Sequence, residues 1–210
     1  MEHVRVTVKE LVDSDEKLYN FVSGIVDMTN PEYSDKIDVI IFDSIQTANI
    51  SKRAKGSYLN TVACFSLSKK ENKIGVIIIF KDKLRKFIER SVYGSFVDLD
   101  GYRTIKDYEA ILFLLFHECR HIQQYIYVLE RYGVDIALKL NFVDRTLYFS
   151  KYPILEQDAN KYAFKQTFGK DLIKTKVNTL DLGKVFGYIF NTARDLRYLN
   201  NVKYNIEYVK

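Results

Sequence analysis

The 210-residue chain is poor in several residue types, and each scarcity closes an option. It has two cysteines, Cys64 and Cys119, too few for the disulfide framework of a small secreted domain, and both read as reduced thiols. With two prolines and no Gly/Ser tract, repeat or low-complexity segment, nothing reads as a linker, and the expectation is a single domain over residues 1–210. No apolar run reaches the roughly 18 residues of a membrane span. The longest, Ala110 to Phe116, is bounded by Glu109 and His117 and reads as a buried helix. The first 17 residues lack the apolar core of a signal peptide, so cytoplasmic residence is expected, with no membrane partner. Excess charge is small as well. A net +5, with 32 basic residues interleaved among 27 acidic ones, forms no dense basic stripe and disfavours nucleic acid as a partner.

What is present is a core-forming composition. At 47% hydrophobic and 28% charged, the chain lies far from the signature of disorder. Val4 to Val8 alternates as a short strand does. Asp13 to Glu16 opens an amphipathic helix that runs to about Met28 and stops before Pro31. Asp38–Ser44, Thr61–Ser68 and Lys73–Phe80 are strand-like in β-branched and aromatic content, the last two joined as a hairpin by the short link KKEN. Asn49 to Gly56 reads as a basic surface loop, residues Asp82 to Arg90 as a short helix, and Ser91 to Arg103 as an irregular loop beside a cleft. The strongest helix signal follows, with Thr104 and Asp107 as a capping box, apolar periodicity through Leu129 and a stop at Gly133. Further helices are expected over Val134–Phe142, from Pro153 to Gly169, and over about Thr179–Leu199. Strands first and helices afterwards predict an α+β architecture, a small sheet in the N-terminal half with helices packed on one face.

The stretch LFLLFHECRHIQQY lies inside the best helix and puts His117 and His121 four residues apart. At 3.6 residues per turn the two imidazoles share a face, one turn apart, and can share one ion. Glu118 projects about 100° away, too far to join them as a ligand yet near enough to reach a water on that ion. This is the H-E-x-x-H arrangement. The bland alternative is a buried helix with two satisfied histidines and an incidental glutamate. The two alternatives part on a third ligand, because catalytic zinc takes three protein ligands and keeps a fourth position for water.

His3, alone beside the N-terminus, is a poor candidate for that third ligand. The segment YPILEQDANKYAF offers Glu156, 35 residues after His121 (156 − 121) on a helix that can return antiparallel to the first. Asn160, at i+4 from Glu156, falls on the same face and can orient a ligand histidine through its unused ring nitrogen. On their own, Glu156 and Asp158 read as ordinary acids at a helix N-terminus. Cys119 reads as a small core residue, Arg120 as the partner of a carboxylate or solvent, and Tyr108, Phe113, Phe116 and Tyr125 as core.

HECRH followed by EQDANKYA resembles the gluzincin metallopeptidases, most of all the small ImmA/IrrE-type proteins with HExxH and a later ExEANxFA, over residues 104 to 168. Asp158 stands where that family often carries Glu. The resemblance implies a zincin-like fold, one zinc ion held by His117, His121 and Glu156, Glu118 as general base, and a preceding strand that binds an extended peptide, for which Lys73–Phe80, read as an edge strand, is the candidate. The expected activity is a zinc-dependent metallopeptidase (hydrolase), an endopeptidase acting on a protein or peptide substrate. Tyr148, Tyr152, Arg194 and Arg197 are open candidates for stabilising the oxyanion. The rival expectations are a zincin-like binding or regulatory protein without turnover, which would have no need of Glu118, and a metal-free helical interaction module.

Overall fold

A computed structural model describes residues 7–49, 61–68, 72–89, 92–98, 101–105, 107–139, 154–170 and 181–192. Helix α1 (Val8–Asp13) starts with a reciprocal cap: Glu10 N donates to Thr7 Oγ1 at 3.2 Å, and Thr7 N donates to Glu10 Oε2 at 2.7 Å. The strand expected at Val4–Val8 is therefore corrected at its end, since Val8 opens a helix; residues 4–6 lie outside the described residues. Helix α2 (Asp15–Thr29) is capped by Ser14 and buries Leu18, Val22, Ile25 and Val26, an i, i+4, i+7, i+8 stripe.

Strand β1 (Ile37–Phe42) pairs in parallel with β3 (Gly75–Phe80), which pairs on its other side with β2 (Ala63–Leu67) in the antiparallel sense. The expected hairpin is present, but the order β1-β3-β2 makes β3 central. This overturns the assignment of Lys73–Phe80 as the edge strand. All six residues of β3 are buried, because Ile77 and Ile79 face the helices while Val76, Ile78 and Phe80 are covered by Ile45 and Ala48. Among the described residues the edges of this sheet are β1 and β2.

Helix α3 (Lys81–Glu89) leaves β3 directly. Its first residue, Lys81, is buried and pairs with Asp43 after β1 (2.7 Å) and with Asp15 at the start of α2, so one ammonium ties three element ends together. The span expected to be an irregular loop is instead a second two-stranded sheet, β4 (Val92–Asp98) with β5 (Gly101–Ile105). Thr104 sits in β5 opposite Tyr93 and the helix begins at Asp107, so Thr104 is not at the N-cap position that the expected capping box requires.

The long helix α4 (Asp107–Tyr132) begins with Asp107 in the left-handed region (φ 47°) and ends at Gly133 (φ 84°), whose N–H bonds to Leu129 O at 3.1 Å. Residues 134–139 are helical; the rest of Val134–Phe142 is not described. Helix α5 (Ile154–Phe168) stops at Gly169 (φ 67°) as its sequence predicts, and packs lengthwise on α4. Helix α6 (Leu182–Thr192) covers the first part of the expected Thr179–Leu199 helix. The architecture is α+β, a three-stranded sheet with mostly helical surroundings, and no helix among the described residues is long and apolar enough to cross a membrane.

Candidate metal centre

Helix α4 carries His117 and His121 on the flank that meets α5, and the first turn of α5 carries Glu156 toward them. The Nε2 atoms of the two histidines lie 3.0 Å apart. Glu156 Oε2 is 3.2 Å from His117 Nε2, and its Oε1 is 3.5 Å from His121 Nε2. An ion in tetrahedral coordination, with bonds of about 2.0–2.1 Å, needs donor atoms about 3.3–3.4 Å apart. The two nitrogen–oxygen distances, each to a different oxygen of Glu156, bracket that spacing, and the nitrogen–nitrogen distance is shorter than it. Among the described residues the three side chains form one His/Glu group able to hold a metal ion.

Their electrostatics follow from proximity. Burial pushes the Glu156 carboxyl upward, but hydrogen bonds from His117 and His121 outweigh it and hold the group far below the ordinary carboxylate range. Burial also pushes His121 down, yet the Glu156 hydrogen bond and charge, with Glu118 behind them, lift it to about 9. Without a metal the cluster therefore keeps a proton on His121, where an ion would sit.

Both histidines turn their other ring nitrogen to an amide. His117 Nδ1 lies 3.1 Å from Asn160 Oδ1, as the i+4 spacing from Glu156 predicts. His121 Nδ1 lies 2.8 Å from Gln124 Oε1, a contact that sequence reasoning missed. Its signal was Gln124 at i+3 from His121, one turn along the same helix face. Asp158, fully buried, receives both Arg120 Nε (2.8 Å) and Nη2 (3.2 Å). Burial pushes its carboxyl upward while Arg120 and Gln124 pull against it. Arg120 thus pairs with a carboxylate, one of its two expected readings, and Asp158 is no ordinary exposed acid.

Glu118 does not face the ion position alone. Its Oε2 accepts the backbone N–H of Phe65 on β2 at 2.7 Å. Burial raises its pKa, against the lowering pull of His117, His121 and that N–H. Val62 O accepts from Phe80 N and Ser68 N donates to Ile74 O, so by strand alternation Cys64 and Ser66 face β3 while the backbones of Ala63, Phe65 and Leu67 point outward. The general-base candidate is therefore tied to the outer edge of β2.

Cys119 is buried, its thiol pushed up to about 12 by desolvation, which fits a core residue and not a ligand. Phe113, Phe116 and Tyr125 are buried as expected, whereas Tyr108 is exposed. His3, Tyr148, Tyr152, Arg194 and Arg197 lie outside the described residues. No family model, curated protein or solved structure matches the chain.

Proposed function

We propose that the chain is a zinc-dependent metallopeptidase of zincin type, cleaving a peptide bond of a protein substrate, with His117, His121 and Glu156 holding one Zn²⁺. The observation that carries this reading is the meeting of two imidazole nitrogens and the Glu156 carboxylate around one position, beside a buried carboxylate that is attached to an edge strand. When bound, the ion supplies Lewis acidity, acidifying a water and polarising a carbonyl.

The protein's own groups supply the rest. Glu118, its basicity raised by burial, takes one proton from the attacking water as the C–O bond forms, and returns that proton to the amide nitrogen as the C–N bond breaks. The products are a free carboxyl end and a free amine. The outer edge of β2, in place of β3, accepts the substrate as an added strand, so an unpaired, extended segment is the preferred target. The strands preceding the HExxH helix and the glutamate helix following it fit the arrangement that the gluzincin resemblance implies.

The test is Glu118→Gln, assayed on unfolded casein and a random-peptide library alongside elemental analysis. The parent should carry one zinc and cleave; the variant should keep the zinc and lose about 10²–10⁴-fold in rate. Cleavage at the parental rate, or a parent without stoichiometric zinc, overturns the proposal.

A further inference from the structure

Behind His121 the polar contacts continue through two more side chains. Gln124 Oε1 faces His121 Nδ1 at 2.8 Å, and Gln124 Nε2 donates to Leu155 O at 3.1 Å and to Asp158 Oδ2 at 2.6 Å. Asp158 is gripped by the fork of Arg120. Arg120 is immobilised in turn, its third nitrogen donating to Gln123 Oε1 at 2.9 Å and its guanidinium lying 4.9 Å from the centre of the Tyr162 ring.

A primary amide has two N–H donors and one carbonyl acceptor. Both donors of Gln124 are claimed by groups that only accept, a backbone carbonyl and a carboxylate. Turning the amide over would aim its oxygen at those two acceptors and leave Asp158 short of a donor deep in the protein. The orientation is thus dictated by what lies behind it, and an oxygen so fixed demands a proton on His121 Nδ1.

We propose that Gln124, held by Asp158 and Arg120, is a positioning residue that locks His121 as the Nδ1–H tautomer and directs its Nε2 lone pair at Glu156 and His117. Gln124 itself touches no ion. It acts on the ring, removing the alternative tautomer and ring rotations that would otherwise compete with metal binding. The inference rests on the zinc reading above and goes past it, because neither the HExxH pattern nor the ligand set specifies this residue.

The test compares the parent with Gln124→Met, which keeps the length of the side chain and removes its acceptor. Zinc affinity is measured by competition with a chromophoric chelator, and the His121 ring by ¹⁵N–¹H spectra of the zinc-loaded protein. The variant should bind zinc about 10- to 100-fold more weakly and lose the slowly exchanging His121 Nδ1–H signal. Tyr33→Phe, which removes a hydrogen bond to Glu130 on the same helix far from the cluster, should leave both readings unchanged. Equal affinity and an unchanged Nδ1–H signal in Gln124→Met overturn the proposal while leaving the hydrolase reading standing; a parent that binds no zinc removes both.

Should Gln124→Met fail to fold, the zinc-loaded parent decides. Its ¹⁵N–¹H spectra should show His121 protonated at Nδ1 and unprotonated at Nε2, and an unprotonated His121 Nδ1 overturns the proposal.

Discussion

His121 holds a proton that a metal must displace, and the consequence is measurable. Its pKa stands at about 9 in the metal-free protein, so at pH 7.5 zinc binding should release about one proton. Apparent zinc affinity should rise about tenfold per pH unit up to about pH 9 and then level off. Calorimetry in buffers of different ionisation enthalpy reads the proton directly, and a buffer-independent enthalpy would contradict the shared site. The same groups set metal-free stability. His121, raised above its ordinary 6.5, contributes fully below pH 6.5 and loses that contribution as pH climbs through about 9; Glu156, lowered from 4.5, contributes above pH 4.5 and loses it on acidification. From these two groups the metal-free melting temperature should plateau between about pH 4.5 and 6.5, and zinc should abolish the alkaline decline. At this scale the shared faces of His117 with His121 and of Glu156 with Asn160 were legible because helical spacing is local information, whereas Glu156 was reached only through the expected return of a second helix and the resemblance. The partners of Glu118 and Asp158 were not, since a backbone N–H carries no residue label and a buried ion pair looks, in sequence, like two exposed charges.

Strand β2 carries the prediction at the scale of elements. Proline lacks an N–H, yet at position 65 that N–H points away from the sheet, so Phe65→Pro removes no ladder bond but replaces the donor to Glu118 with a ring methylene that pushes the carboxylate away. Phe65→Ala removes the same ring and keeps the donor. On one peptide substrate, Phe65→Pro should show a kcat about tenfold or more below that of Phe65→Ala, in line with the worth of a hydrogen bond to a charged group, with zinc content equal. Equal kcat values would show that the N–H does not hold the base in its working orientation. Composition made the strands readable, but not their order. The continuous apolar run GVIIIF already carried the mark of a strand covered on both faces, and weighing that run against ACFSL, which Ser66 interrupts, would have put β3 in the centre and β2 at the edge. β4 and β5 were hidden by Gly94, Asp98 and Gly101, residues that mark turns in most contexts.

Across the molecule, the proposed ion would join α4 to α5 and so contribute to the stability of the fold. At free zinc about 1,000-fold above its Kd, linkage adds about 4 kcal/mol, which for a chain of this size corresponds to roughly 8–16 °C in Tm. Scanning calorimetry with and without a chelator should show that drop, and its absence would mean that the two helices need no ion between them. That the described strands all precede α4 was readable from the chain, as was the α+β class, although α1 and α2 come before the sheet and α3 leaves β3 directly. The packing of that sheet depends on the absence of one side chain. A β-carbon on Gly75 would lie 2.2 and 2.6 Å from the ring of Phe65 and 2.8 Å from the carbonyl of Ser66, and that carbonyl cannot swing aside. One methyl group on the central strand would thus wedge β2 outward and carry the Phe65 amide out of reach of Glu118. On the proposed function, such a chain would still grip the ion with every ligand in place and be catalytically idle, a loss that no inspection of the histidines would reveal.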